Sequence, residues 1–226
     1  MILSPNDSNC KLYLPFSEGS GTTAKDYSSG SNDGTITGAT YTKIQDGSYA
    51  LDVNGSSDYV DINSTLGFTD GDSISFSCCV KIDAFNSLGV IISNYDRNAI
   101  KGTSLTTTST YRNGIAIVSQ NVSNYNWTNN NNALSLDTWY HVVATCVANG
   151  DVKLYIDSVE QTDTHNENNL TSSAFSARDF VLGAQAYYDG VGTERFFNGQ
   201  IRLPMIWDRA LTQAEVTELY NKTYIN

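Results

Sequence analysis

Three short stretches of this 226-residue chain set aromatic rings beside planar polar groups: Asn94-Tyr95-Asp96-Arg97, Asn124-Tyr125-Asn126-Trp127 and Tyr187-Tyr188-Asp189. That pairing suits a ligand rich in hydroxyls. The apolar face of a sugar ring stacks on an aromatic ring, and its hydroxyls pair with amides and carboxylates. Tyr95, Asp96, Asn126, Trp127, Tyr187, Tyr188 and Asp189 are therefore the candidate ligand-binding residues. For each loop the competing reading is that its rings pack loop against sheet, or against a partner subunit.

Cation binding is the second chemistry to weigh. Calcium takes several hard oxygens at about 2.3–2.6 Å. The segment Asp26-Tyr27-Ser28-Ser29-Gly30-Ser31-Asn32-Asp33-Gly34 offers carboxylates, an amide and backbone carbonyls on a glycine-containing loop. Asp26 and Asn32 are the leading ligands for a structural Ca2+. The alternative is a solvated loop in which both residues make Asx turns. EF-hand spacing is absent, and His141 and His165 are too isolated to suggest zinc.

Bulk properties narrow the field of partners. The formal net charge is −11, which argues against nucleic acid, since phosphate binding relies on clustered Lys and Arg. The longest apolar runs, Gly89–Ile92 and Ile115–Val118, have strand length, well short of the ~20 residues of a spanning helix, so no membrane insertion is expected. The opening Met1-Ile2-Leu3-Ser4-Pro5-Asn6-Asp7 lacks a basic region followed by a long apolar stretch, so it is not expected to act as a signal peptide, and a signal removed ahead of Met1 stays open. Cys10, Cys78, Cys79 and Cys146 lack metal-ligand spacing. Buried reduced thiols are the favoured reading, with a Cys79–Cys146 or Cys10–Cys146 bridge as the alternative.

The elements that must position these groups read as strands. Hydrophobic residues make up 40% of the chain and charged residues only 16%, so polarity comes mainly from Asn, Ser, Thr and Gly. Short β-branched and aromatic runs between such turn residues mark many short strands. Leu12–Phe16, Thr35–Thr42, Ala50–Val53, Asp58–Ile62, Ser73–Ile82, Gly89–Ser93, Gly114–Ser119, His141–Val147, Val152–Ile156, Asp179–Gly183 and Gln200–Trp207 fit this pattern. Asn54-Gly55 signals a tight turn. Thr103–Thr110 and the Asn-rich Asn121–Asn132 read as long connections. A single helix follows Thr212, with Glu215 in the capping-box relation and Val216, Leu219 and Tyr220 as its apolar face. No linker divides the chain, so residues 1–226 are expected to form one domain.

Four segments in order resemble the laminin-G-like, pentraxin-like branch of the concanavalin A-type lectin/glucanase fold. They are Leu12-Tyr13-Leu14-Pro15-Phe16-Ser17-Glu18-Gly19-Ser20-Gly21 with Asp26-Tyr27-Ser28 and Asn32-Asp33-Gly34-Thr35, and Ala50-Leu51-Asp52-Val53-Asn54-Gly55 with Asp58-Tyr59-Val60. Next come Trp139-Tyr140-His141-Val142-Val143-Ala144 with Val152–Asp157, and Phe197-Asn198-Gly199-Gln200-Ile201 with Ile206-Trp207-Asp208-Arg209-Ala210-Leu211-Thr212. The resemblance implies an all-β, two-sheet antiparallel jelly-roll sandwich, one sheet concave, closed by a short C-terminal helix. Two positions depart from the family. Arg202 stands where an acidic residue is usual, and Cys79 where a tryptophan is common.

Glucanases of this fold hold two carboxylates about 5–9 Å apart, usually from a Glu-x-Asp-x-Glu run that is missing here. Asp151 and Asp157 flank a strand without forming that arrangement, and no catalytic residue is assigned. The reading is a non-catalytic module for a glycan or cell-surface polysaccharide, outside the cell or on a virion surface. A subunit of a larger assembly, such as a virion or phage decoration or fibre, is the alternative, and a polysaccharide-active enzyme the third.

Overall fold

The computed structural model describes residues 7–96, 99–109, 114–121, 124–130, 132–148, 151–167, 175, 178–187 and 190–224. The first strands are β1 (Cys10–Tyr13), β2 (Thr23–Ala24), β3 (Gly34–Thr37), β4 (Thr40–Lys43), β5 (Tyr49–Asn54), β6 (Tyr59–Asp61), β7 (Ile74–Ala84), β8 (Gly89–Ser93), β9 (Lys101–Thr108) and β10 (Gly114–Asn121). They are followed by β11 (Asn124–Asn129), β12 (Trp139–Cys146), β13 (Val152–Ile156), β14 (Val159–Gln161), β15 (Asp163–Glu167), β16 (Val181–Leu182), β17 (Gln185–Tyr187), β18 (Gly190–Glu194) and β19 (Asn198–Trp207). Helix α1 (Gln213–Tyr224) ends the described chain.

These strands build the expected two-sheet antiparallel jelly roll. One sheet runs β14-β13-β12-β7-β19-β5-β4, with β1 also paired to β19. The other runs β15-β11-β10-β9-β8-β16-β6-β3-β2. The facing sides share one apolar cluster that includes Leu51, Phe76, Val80, Leu105, Ile117, Val142, Phe180 and Ile206.

Helix α1 begins as its capping box dictates. Thr212 N donates to Glu215 Oε2 (2.8 Å), and Glu215 N donates to Thr212 Oγ1 (3.4 Å). Arg209 grips the same carboxylate through two bonds, of 2.9 and 2.7 Å. Those bonds from Arg209 hold the Glu215 carboxyl at about 2. Val216 and Leu219 then bury against Val143, Tyr155, Trp207 and Cys10, a second apolar cluster outside the sandwich core.

That cluster changes the reading of β7. Its alternating sequence predicts one wet face, yet Ser75, Ser77 and Cys79 are all buried. The helix side supplies partners instead of water. Ser75 Oγ donates to Arg209 O (2.8 Å) and accepts from Leu211 N (3.0 Å). Cys78 points into the sandwich core, while Cys79 sits across from His141 and Arg202 in the register. All four cysteines are free and buried. Burial raises Cys79 to about 11, and Cys10 and Cys146 to about 12, so they behave as small core side chains.

Two sequence expectations are corrected. Residues 103–108 are not a connection but most of β9, which pairs β8 on one side and β10 on the other. Threonine is β-branched and favours strands, and neighbouring strands satisfy its hydroxyl: Thr107 Oγ1 donates to Gly89 O, and Thr103 Oγ1 to Ser119 Oγ. The Asn-rich segment likewise holds β11, which pairs β10 and β15. Asn54-Gly55 makes the expected tight turn. It starts the passage from β5 in one sheet to β6 in the other, where Asn54 Oδ1 accepts from Ser56 N and Ser57 N and Gly55 adopts φ 73°.

Candidate ligand-binding site

Strand residues alternate faces. On β9 and β10, Leu105, Ile115 and Ile117 enter the core, so Thr106, Val118 and Gln120 stand on the outer face of the nine-stranded sheet. The β17–β18 hairpin lies against β8 on this side. Its base is stitched down by backbone bonds: Val90 N donates to Arg195 O (2.7 Å), and Phe197 N to Gly183 O (2.9 Å). Between hairpin and sheet is a cleft of about 150 Å³, floored by Val90, Thr106 and Val118 and walled by Tyr95, Gln120, Gln185 and Arg195.

The polar groups of this cleft are unevenly satisfied. Arg195 Nη1 donates to Gln185 Oε1 at 2.9 Å. Gln185 is only 1% exposed, and its Nε2 has no hydrogen-bond partner. Asn129 is also 1% exposed, with neither amide atom partnered. It stands across from Ala116, in the row that continues to Thr106 and Val90. A buried donor left unmet costs about 1–3 kcal/mol. One such amide belongs to the hairpin that walls the cleft and the other to the sheet beneath it.

Tyr95 is placed by close packing. Ser93 Oγ accepts its backbone N–H (2.9 Å) and is itself bonded to Ser104 Oγ (2.6 Å). Gly102, at φ 143°, lies under it, where an added Cβ would come within 2.4 Å of Tyr95 Cα. Asp96 beside it faces other work: its carboxylate accepts Arg178 Nε at 3.0 Å, and its backbone pairs with Lys101. The register sets Trp127 opposite Val118 and Asn126 opposite Ser119. Tyr187 pairs through its backbone with Gly190. Tyr188 and Asp189 lie outside the described residues. Of the seven candidates, then, Tyr95 lines the cleft and Trp127 shares a register row with its floor.

Sequence reasoning missed Gln120, Gln185, Arg195 and the Thr106–Val118 floor. The available signal was the β-branched content of residues 103–108, which marks a strand as well as a polar loop.

The structure brings Asp26 and Asn32 together. Asp26 Oδ1 accepts from Tyr13 N (2.9 Å) and Ser28 N (2.8 Å); Oδ2 accepts from Ser28 Oγ (2.8 Å) and Asn32 N (2.7 Å). Asn32 Nδ2 reaches Lys11 O at 3.3 Å. The carboxylate thus ties the 26–32 loop to β1 with four donors from the chain. Among the described residues, no group of three or more His, Cys, Asp or Glu is placed to share a metal ion.

A second cleft, of about 190 Å³, opens on the outer face of the eight-stranded sheet beside the end of α1. Asp46, Cys79, Trp139, Arg202 and Thr223 line it. Arg202, the departure from the expected acid, donates through Nη2 to Asp46 Oδ2 at 2.6 Å. Burial works to raise the Asp46 carboxyl, but bonds from Ser48 and Arg202 hold it below its usual value.

A jelly roll with a capped C-terminal helix and a cleft across one sheet defines the class: a lectin-like sandwich. The chain belongs to the concanavalin A-like lectin/glucanases superfamily, whose family model matches residues 54–217. It is similar in structure to domain 4 of AbnA, a GH43 extracellular arabinanase from Geobacillus stearothermophilus, in complex with arabinotriose. That likeness has TM-score 0.66 and 21% identity, covering 94% of this chain and 98% of that one. The binding domain of Paraclostridial Mosquitocidal Protein 1 gives TM-score 0.70 at 16% identity, over 95% of this chain and 52% of that one. The binding domain of botulinum neurotoxin DC in complex with SialylT gives 0.66 at 18%, over 97% and 52%. The chain therefore spans about half of those two toxin domains. Comparison with curated proteins gives no match.

Proposed function

We propose that the chain is a non-catalytic carbohydrate-binding module that holds a glycan or cell-surface polysaccharide in the cleft between the nine-stranded sheet and the β17–β18 hairpin. One observation carries this reading: Gln185 presents a buried amide N–H with no acceptor in a cleft walled by Tyr95 and Gln120. Planar amides beside an aromatic ring are the groups that meet sugar hydroxyls and sugar faces. Two domains of the same fold are described with saccharides, arabinotriose in one and SialylT in the other, which supports the class of ligand. The setting we infer is extracellular; no helix among the described residues is long and apolar enough to cross a membrane.

To Asp26 we assign loop ordering rather than ligand contact, because chain donors already occupy both of its oxygens.

A glycan array followed by titration calorimetry tests the reading, run once with calcium and once with chelator. The expected result is binding to at least one oligosaccharide class, lost in Gln185→Ala and weakened in Tyr95→Ala. A blank array in both buffers overturns it. Binding that survives both substitutions moves the ligand to another surface.

A further inference from the structure

Under helix α1 lies a histidine with part of its hydrogen bonding unmet. Alternation on β12 turns His141 to the side of Val143, which packs on the helix, while Val142 and Ala144 enter the core. The His141 side chain is fully buried, and the Tyr220 ring of α1 lies over it at 5.9 Å between centroids. Its Nε2 meets Ser77 Oγ at 3.3 Å, and its Nδ1 has no partner. A protonated ring would carry a charge and two N–H donors, with Ser77 accepting one of them. The other donor would stay unmet, which is costly in a buried place.

The titratable groups around the ring are neutral, engaged elsewhere or of the wrong sign. From β7, Cys79 stands opposite in the register, a thiol that burial keeps protonated. From the end of β13, Asp157 turns Oδ1 to the His141 backbone N–H at 2.8 Å, and burial raises that carboxyl as well. From α1 comes the Tyr220 phenol. On β19, beyond Cys79, stands Arg202, itself a cation and paired with Asp46. Burial, rather than any of these charges, pushes the imidazole down to about 4. Water is the remaining partner for a charged ring, and α1 is the element that keeps it out.

The start of α1 is fixed by bonds that mild acid leaves alone. Arg209 holds Glu215, whose carboxyl sits at about 2. Gln213 Nε2 donates to Ser158 O (2.9 Å), and Thr217 Oγ1 bonds Ser158 Oγ (3.0 Å). The new charge therefore appears beyond this anchor, beneath the turn that begins at Tyr220.

We propose that the last turn of α1, Tyr220 to Tyr224, is an acid-operated cover that lifts from the sheet when His141 takes a proton, while the anchored start of the helix stays in place. The lift bares Cys79, which is 2% exposed in the closed state. It also joins this face to the second cleft, because Thr223 lines that cleft and lies within bonding reach of the Cys79 thiol. A ring that titrates normally once hydrated favours the open state progressively as pH falls from 6.5 toward 4, by about thirtyfold at pH 5.

The test is thiol labelling of the full chain with 4,4′-dithiodipyridine, which reacts in mild acid, with each cysteine resolved by peptide mass spectrometry. The Cys79 rate, divided by that of a free cysteine peptide at the same pH, is expected to rise about thirtyfold from pH 7 to pH 5. Cys78 and Cys146, which face the sandwich core, should lag far behind. His141→Gln should bring the Cys79 ratio to near one, and His165→Gln should leave it as in wild type. Should His141→Gln not fold, Tyr220→Ala decides in its place: it should speed Cys79 labelling at pH 7 and shrink the further rise at pH 5. A Cys79 rate that ignores pH overturns the proposal, as does an acid rise retained in His141→Gln. Equal rises at Cys78, Cys79 and Cys146 overturn it too, because the acid response is then unfolding of the whole domain.

Discussion

The two outer faces of the sandwich are covered in different ways. On the eight-stranded side, α1 lays Val216 and Leu219 onto Val143, Tyr155 and Trp207 as a dry apolar seal. Of the unmet groups on this side, His141 Nδ1 and Trp207 Nε1 line neither of the two clefts described, while Arg202 Nε belongs to a residue that lines the second cleft and pairs with Asp46. On the nine-stranded side, the cover is a hairpin anchored at its base by backbone bonds, and it leaves a cleft whose wall holds an unmet amide. One cover serves stability. The other leaves the Gln185 amide unmet and keeps space beneath it, which is why the proposed ligand is placed there.

If that contrast holds, substitutions on the helix side change stability and spare binding. The largest effect is expected from Trp207→Ala. Trp207 is fully buried, and the truncation should cost about 3–5 kcal/mol in chemical denaturation, with calorimetric affinity unchanged in the folded protein.

Acid should act on the same side next. Burial pushes His141 down to about 4 from an ordinary 6.5. The unfolded chain therefore binds a proton that the folded one refuses as pH falls from 6.5 toward 4. Stability is complete above that window, falls across it, and levels off below it. A shift of this size corresponds to about 3 kcal/mol. Denaturation curves at stepped pH should show the slope, and His141→Gln should flatten it. Glu215 adds a separate acid loss from roughly pH 4.5 toward 2, since its depressed carboxyl stabilises the fold only while ionised.

Thr212→Ala removes the helix cap and should cost about 1 kcal/mol, read as a small drop in melting temperature with no effect on binding. The smallest stability change belongs to the other face. Gln185→Leu gives up the bond from Arg195 and removes an unmet donor, two effects of opposite sign, each about 1 kcal/mol. Melting should stay close to wild type while oligosaccharide binding is lost. A variant that unfolded yet still bound would reverse the comparison.

The helix side was also the more legible from sequence. Its signals are local: Thr212 and Glu215 stand three residues apart, and Val216 and Leu219 repeat at helical spacing. What sequence alone misjudged there was β7, whose serines look solvent-facing until Arg209 and Leu211, just ahead of the helix, partner Ser75 and His141 on β12 partners Ser77. The hairpin side depends on long-range pairing. Ser104, Thr106 and Thr107 are polar residues whose burial is decided by β8 and β10, and composition carries no record of that. Gln185 and Arg195 flank a hairpin and meet only when it closes against β8. Tyr95 was legible because its chemistry is visible in the residue itself. Its partners in the cleft were not.

The most direct test of the central contrast is an NMR titration that follows side-chain amide resonances while each oligosaccharide that binds on the glycan array is added. The account predicts that the Gln185 and Gln120 amides shift and saturate with at least one ligand, while Trp139 and Trp207 indole resonances on the helix side stay in place. Saturable shifts confined to Trp139, with Gln185 silent for every ligand that binds, would contradict it.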